Sequence, residues 1–592
     1  MKAFPTLLIV AGILFVHDSA FAMGGTGATC NPSTPNWGSC TLAPVPFADS
    51  VTKTINVPGG HWETPYEATQ NNTHYILQGD VSADSVGFSV KANYVIIDLN
   101  GYTITYNQVS PGEGVAMGTY NKTYVAVRNG SLIQGAAMSE GDEYGRGNNP
   151  VGVWNSLSNW KFGSSNAHIA NLYMKYGGRD VGGITWSGNN GLFEQNTVED
   201  TYEFGTLKNR MQGSGAITGS KGTNSTGNIF RYNTIINTRK NGISTGHDAE
   251  VYGNHITIRS ISTNSVGIAE YAGQNVKVHD NTIIGTGEHP IGIMTGGGDG
   301  ANNWEIYNNL ITVETTALGE EYGKKFLADK TKIYETNSAA GIRVTWGGDN
   351  IHFYNNEITI VTGYGKVGVY SPTGEPAFLD AGGKGMFIGA YAGEFSTYEN
   401  NRISVTGDGT YTYGVTCSHS FSDGMFVLNN TITSSQYNIV IGDDYGACNN
   451  YPLFQGNILI KSGSNPKYQT IANTYNSTDR NAQARFVDNI YQNGASQETI
   501  ALRPQEKGVT DVYFGSVIKN TQRYDYRLHD NTGQSTTLLR EDFSPPITLN
   551  YAKPILGVEK PQDAPKIIRI TSTEPLLPES PWLLTHLSTV LR

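Results

Sequence analysis

Five charged residues in three short stretches stand out for the chemistry they could share. They are Arg239 and Lys240 in TRKNGI, Glu288 and His289 in GEHPIGI, and Arg343 in GIRVTW. Cations grouped with one carboxylate and one imidazole suit a sugar polymer that itself bears carboxylates. When such a sugar is attacked at C5, a base takes the proton while cations stabilise the developing enolate. Lys240 or His289 fits the base, Arg239 and Arg343 the charge clamp, and Glu288 the group that orients His289. The competing reading is that all five are solvated turn residues whose ion pairs contribute little.

A second set follows the Gly-Ile pairs. Five residues on from each glycine, or from Asn438 in the glycine's place, stand His247, Trp346, His419 and Asp443, with Asp248, Asp349 and Asp444 close by. His247 and Asp248 are candidate substrate contacts. Trp186, Tyr271 and Trp346 are candidate platforms for sugar rings, although exposed aromatics are also ordinary on sheets. Asp443 and Asp444 read either as turn caps or as a calcium site, and calcium is the one cofactor suggested. Glu270, in GIAEY, should point inward by alternation. A local register slip turning it outward is the simpler expectation, because a buried carboxylate must be protonated or paired.

The elements that must position these residues are legible as a repeat. FEQNTV, FRYNTI, VYGNHI, VHDNTI, IYNNLI, FYNNEI, YENNRI, VLNNTI, FQGNIL and FVDNIY each place an Asn just before an apolar strand. Asn100, Asn129 and Asn171 do the same earlier in the chain. Between the asparagines recur GIT, GIS, GIA, GIM, GIR, GMF and GVT, from Gly183 to Gly414. One unit therefore reads as a Gly-Ile strand, a turn, a strand, an Asn corner, a further strand and a turn. Alternation of period two puts Ile243, Val251 and Ile256 on one side. The pattern predicts an all-β fold, a single-stranded right-handed parallel β-helix with three short strands per coil and about thirteen coils. The asparagines are expected to take the left-handed backbone of a sharp corner and to stack as an amide ladder.

The run YILQGDVSADSVGFSVKANYVIIDLNGYTI, residues 75–104, resembles the opening coil of bacterial right-handed β-helix repeat proteins. The N-x-I and G-I periodicity resembles the wider pectate-lyase and polygalacturonase superfamily, over residues 75–495. That resemblance implies a cleft beside the Gly-Ile strand, walled by the turn before it. Long connections flank short ones there, which makes a trough whose floor would display Ser244, Met294 and Arg343. The scaffold hosts lyases, hydrolases, epimerases, esterases and adhesins, so it does not choose among activities. IGDDYGAC and STGHD are similar to the paired-Asp and G-H-G motifs of polygalacturonases. Here, however, the paired Asp follows the strand, and the GHD lies in an earlier coil. Inverting hydrolysis needs carboxylates roughly 6.5–9.5 Å apart around a water, and this order does not promise that. W-I-D-H and R-x-P-x-x-R are absent.

Composition bounds the rest. Gly supplies 71 of 592 residues, only 15% are charged, and the formal charge is -11, which disfavours nucleic acid and anionic membrane as partners. Residues 1–22 read as a signal peptide ending in Ala20-Phe21-Ala22, so a secreted, periplasmic or cell-surface location is expected, with no membrane span after its removal. Residues 23–74 read as an N-terminal cap region, with a Cys30–Cys40 disulfide. Residues 75–495 form the helix, 496–545 a last coil and cap, and 546–592 a Pro-rich tail or linker. Cys417 and Cys448 are either bridged or buried separately. Two functions remain in view. One is a lyase- or epimerase-like enzyme acting on an acidic polysaccharide; the other is a non-catalytic surface or matrix protein that binds glycan or protein partners.

Overall fold

A computed structural model describes residues 42–117, 122–135, 151–155, 165–177, 182–201, 215–219, 225–260, 265–270, 273–287, 290–296, 301–315, 339–345, 348–362, 366–370, 376–380, 383–389, 395–407, 412–418, 420–421, 425–441, 448–449, 452–463, 470–472, 485–487, 489–492, 512–514, 526–529 and 535–538. One coil illustrates the unit. Glu250–Tyr252 runs to the Asn corner, His255–Ser260 follows it, and Ser265–Glu270 carries the Gly-Ile signature. The next coil repeats this as Lys277–His279, Thr282–Gly287 and Pro290–Thr295. Each strand pairs in parallel with its counterpart one coil on: Val251 with Val278, Ile256 with Ile283, Ile268 with Ile293. The first two strands of every coil join a 28-stranded sheet, and the third builds a 14-stranded one, here called the G-I sheet. Ile243, Val251 and Ile256 are all fully buried in one continuous apolar core. Each such side chain contributes about 1.5–3 kcal/mol by leaving water.

A polar column holds the rungs in register. From Asn196 to Asn489, each ladder Asn donates from Nδ2 to Oδ1 of the next at 2.9–3.0 Å. The backbone N–H of Asn254 also donates to Asn281 Oδ1, so the acceptor receives twice. The expected corner geometry needs a correction. In these coils the left-handed residue stands one place before the ladder Asn: Gln195, Tyr232, Asp280 and Asn308 have φ of 54–56°. Both donors of the ladder Asn must face the next Asn, so the turn is made a residue earlier. Only the early Asn100, Asn129 and Asn171 are themselves left-handed.

The glycine of the Gly-Ile pair is required by crowding. A Cβ on Gly267 would lie 2.6 Å from the carbonyl oxygen of Gly292 and 2.7 Å from Ile283 Cγ2. Gly242, Gly292 and Gly414 face the same crowding. Each sits where the third strand turns tightly over the Ile of the strand before it, so the column repeats.

The array starts earlier than residue 75. Lys53–Val57 already pairs with Thr73–Leu77, so much of the expected cap region is a rung. Ahead of it, Val45 and Phe47 pack on the outside of the long sheet against Ile96 and Ala126, beside the stacked rings of Tyr94 and Tyr124. Ala43 N–H donates to the Glu194 carboxylate at 2.9 Å, 151 positions away. At the far end, Val512–Phe514, Tyr526–His529 and Ser535–Leu538 pair antiparallel, so they do not form a further parallel coil. The long insertion after Asn356 holds an antiparallel hairpin, Lys366–Tyr370 with Pro376–Asp380. Among the described residues no helix is long and apolar enough to cross a membrane.

Candidate functional site

On the G-I sheet, alternation sends Ile243, Ile268, Ile293 and Ile342 into the core and their neighbours outward. Register then stacks Thr218, Ser244, Ala269, Met294 and Arg343 on successive rungs. Residues distant in sequence thus share one wall, as the repeat requires. The expected open floor is not what that wall presents. Ser244 is 6% exposed and Met294 5%. Val266, Ala269, Ile291, Met294 and Ala340 make a buried apolar cluster separate from the core. These side chains are out of water on the side away from the helix interior.

The character changes toward higher rungs. Arg343 is half-buried, between Met294 and Phe387 in register. On the next rung stands Lys384, which shares a column with Ala340, Tyr413 and Tyr437. The rings of Tyr413 and Tyr437 meet edge-on at 5.4 Å. Two cations and two phenols therefore lie on consecutive rungs of one outward face. Lys384, Tyr413 and Tyr437 were missed in the sequence. Their signal was simple: each immediately precedes a repeated Gly, or the Asn438 that replaces it.

Arg239 does not join this face. Its Nε lies 3.1 Å from Asp200 Oδ2, with only 5% and 3% of the two side chains exposed. Its charge is already matched by a buried carboxylate, so Arg239 is corrected to a scaffold residue. It ends an internal polar line at the corner before the G-I strand. Tyr176 sits one rung before Asp200, and burial together with that carboxylate pushes its phenol up against the opposing pull of Arg239. Glu113, at the same corner of an earlier coil, is held up to about 7 by burial. Lys240 is half-buried, and its carbonyl accepts the Val266 N–H at 2.6 Å, which ties it to the next rung.

The other expected contacts scatter. Trp186 is corrected to a core residue: it is 1% exposed, packs edge-on against Phe193, and cannot stack on a sugar. His247 Nδ1 accepts the Gln274 N–H at 3.2 Å, a turn contact. Asp248 is left-handed and exposed, accepting from Thr226 Oγ1 at 2.6 Å and Asn275 Nδ2 at 2.8 Å; these bonds hold its carboxyl below the usual range. Glu270 stays in register with Thr295, so the expected slip is absent. Tyr271, Glu288, His289, Trp346, Asp443, Asp444, Cys30 and Cys40 lie outside the described residues. Among the described residues no group of three or more His, Cys, Asp or Glu could hold a metal ion.

A second charged cluster was not anticipated. Glu194 and His168 are fully buried on the outer side of the long sheet, with His168 Nε2 2.8 Å from Glu194 Oε1. Arg231 donates through Nε and Nη2 to Glu194 Oε2 at 2.9 and 2.7 Å. Burial alone would push the Glu194 carboxyl up, but these hydrogen bonds outweigh it and hold it down. The segment through Ala43 closes over the cluster. Its geometry is that of an anchor.

No protein-family model matches the chain, and no curated protein matches it. Among solved structures, the A-module of mannuronan C-5 epimerase AlgE6 from Azotobacter vinelandii is 13% identical, covering 70% of this chain and 92% of its own, with a TM-score of 0.24. A double mutant of the tailspike protein of E. coli bacteriophage HK620 is 11% identical over 78% of this chain and 73% of its own, with a TM-score of 0.34. Another double mutant of that tailspike, in complex with a pentasaccharide, is 10% identical over 81% and 82%, with a TM-score of 0.33. The fold itself is carried by strand register: two parallel sheets wound from one chain around one apolar core make this chain a parallel β-helix protein.

Proposed function

We propose that the protein is an exported β-helix that binds an acidic polysaccharide along the outer face of the G-I sheet and processes it by a lyase- or epimerase-like route. The observation that supports this reading is the placement of Arg343 and Lys384, three positions apart in register, on adjacent rungs of that face, on a chain whose net charge is -11. Cations held on a sheet keep a fixed spacing, but Lys384 is 9% exposed and Tyr413 5%, so in this reading a polymer of uronates meets Arg343 first and must uncover the others. Tyr413 and Tyr437 add hydroxyl and ring contacts beside them. Lys240 is the described candidate for the base that takes the C5 proton, with His289 and Glu288 as its partners in the same reading. Calcium at Asp443 and Asp444, and a Cys30–Cys40 bridge in an oxidising compartment, complete it.

The test is a panel of pectate, alginate and chondroitin with purified protein and calcium, followed by absorbance of unsaturated uronate, by exchange of the C5 proton and by direct binding. Binding with either chemical signal supports the enzyme. Binding with neither moves the protein to the non-catalytic glycan-binding class, and no binding to any of them ends the acidic-polysaccharide reading.

A further inference from the structure

Cys417 lies on Thr412–Ser418, the third strand of its coil, and belongs to the apolar core. It stands in register between Ile388 and Ile441, and all three are fully buried. Cys417 is held in a disulfide, and none of the described cysteines is free. Its partner follows from reach.

The chain has four cysteines, Cys30, Cys40, Cys417 and Cys448. Cys40 stands three residues before Ala43, which is tied to Glu194. From Glu194 to Glu399, on the coil of Cys417, the register climbs six rungs. At the usual strand spacing that is about 29 Å. Three residues of chain span at most about 11 Å, and a bridge needs its Cα atoms within about 7 Å. Cys40 is out of range.

Cys448 is not. Cys448–Asn449 pairs in parallel with Ser420–Phe421, with Ser420 opposite Cys448, just past the end of the strand that carries Cys417. Backbone pairing alone therefore brings the two cysteines to one corner. This pair of strands belongs to neither long sheet. Two residues a side make too few ladder bonds to persist unaided, so a covalent tie supplies what the ladder lacks.

We propose that Cys417 and Cys448 are joined, and that the bridge clamps two consecutive coils at the upper end of the G-I sheet. Thr412–Ser418 also carries Tyr413, and Tyr437–Ile441, the strand before Cys448, carries Tyr437. The clamp thus sets the spacing of the two phenols, whatever ligand this face takes. Closing it removes one hydrogen from each thiol and passes two electrons to a disulfide donor, whose own S–S bond opens to two thiols. Such donors belong to oxidising compartments. In a solenoid each coil is held by its neighbours only, so a tie between two coils acts locally.

Cleavage at methionine maps the pairing. Met386 and Met425 leave Cys417 on residues 387–425 and Cys448 on residues 426–592, with Cys30 and Cys40 on residues 24–117. Any free thiols of the unfolded protein are alkylated first. The expected result is that fragments 387–425 and 426–592 stay together without reductant and part when it is added. Separation without reductant, or attachment of 387–425 to 24–117, overturns the pairing. Hydrogen exchange then reads the clamp, on protein reduced in urea and refolded with the reductant kept. Amides of Thr412–Ser418 and Tyr437–Ile441 should exchange about a hundredfold faster than in the bridged protein, the ordinary effect of a bridge closing a loop of this size. Those of His255–Ser260 should stay as they were. If the reduced chain does not refold, Cys448→Ser takes its place. Equal exchange in these coils with and without the bridge overturns the clamp.

Discussion

Arg239 Nε and Asp200 Oδ2 stand 3.1 Å apart at a corner that almost excludes water. Breaking such a pair leaves one charge buried, a cost of about 3–5 kcal/mol. Asp200→Leu and Arg239→Met are therefore each expected to lower the melting temperature sharply, while the double change Arg239→Met/Asp200→Leu costs less than either single change. Thermal melts of all three variants check this, and equal losses in all would return Arg239 to the list of ligand contacts.

Asn254 accepts from both donors of Asn233 and passes its own on to Asn281. Asn254→Ala strands those donors, each worth about 1–3 kcal/mol when buried and unpaired. In a repeat protein the loss is local. Hydrogen exchange should rise most at the backbone amide of Asn233 and stay unchanged at distant rungs such as that of Asn430.

Gly267→Ala is predicted to destabilise strongly, because its Cβ meets the backbone of Gly292 at 2.6 Å. Gly79→Ala meets nothing nearer than 3.5 Å and should be mild. Urea unfolding midpoints compare the two, and similar shifts would refute the crowding account of the Gly-Ile column.

Glu113 and Glu194 shift in opposite directions and should give opposite pH limbs. Glu194 is depressed in the folded chain, so its contribution is present above the ordinary carboxylate value and fades as pH falls through the folded one. Glu113 is raised to about 7, so its contribution is full below the ordinary value and is lost as pH rises toward 7. Melting temperature against pH should lose its acid limb in Glu194→Gln and its neutral limb in Glu113→Gln.

Lys384→Ala and Arg343→Ala should each weaken binding of uronate oligomers about tenfold, the loss of one charge-assisted contact. Circular dichroism should stay unchanged. Tyr307→Phe, in the ring stack on the outer side of the long sheet, serves as the control that leaves uronate binding alone.

Much of this architecture could be read before any coordinates. The N-x-I and G-I runs are direct images of two crowded columns, so each repeats wherever a rung does. Corners were harder. Period-two alternation has no meaning where the chain turns, and there Arg239 reads as a surface charge although Asp200 draws it in. Trp186 failed for a different reason, since an aromatic next to a strand looks alike whether its ring meets Phe193 or solvent. Lys384 and Tyr413 stand before a repeated Gly, a position that the apolar Val266, Ile291 and Ala340 occupy on earlier rungs, so the repeat marks it as packing and not as a site. The early rung at Lys53–Val57 escaped because it lacks the Asn signature that marks later coils.

The contact between Ala43 and Glu194 also orders events during synthesis. A coil can settle as soon as the one before it exists, so growth from the first rung needs only nearby partners. The segment around Ala43 must wait until the ribosome has delivered Glu194 and, later, Arg231. Val45 and Phe47 can lie over Ile96 and Ala126 as soon as those rungs exist, but the strap stays unpinned at Ala43 until Glu194 is in place.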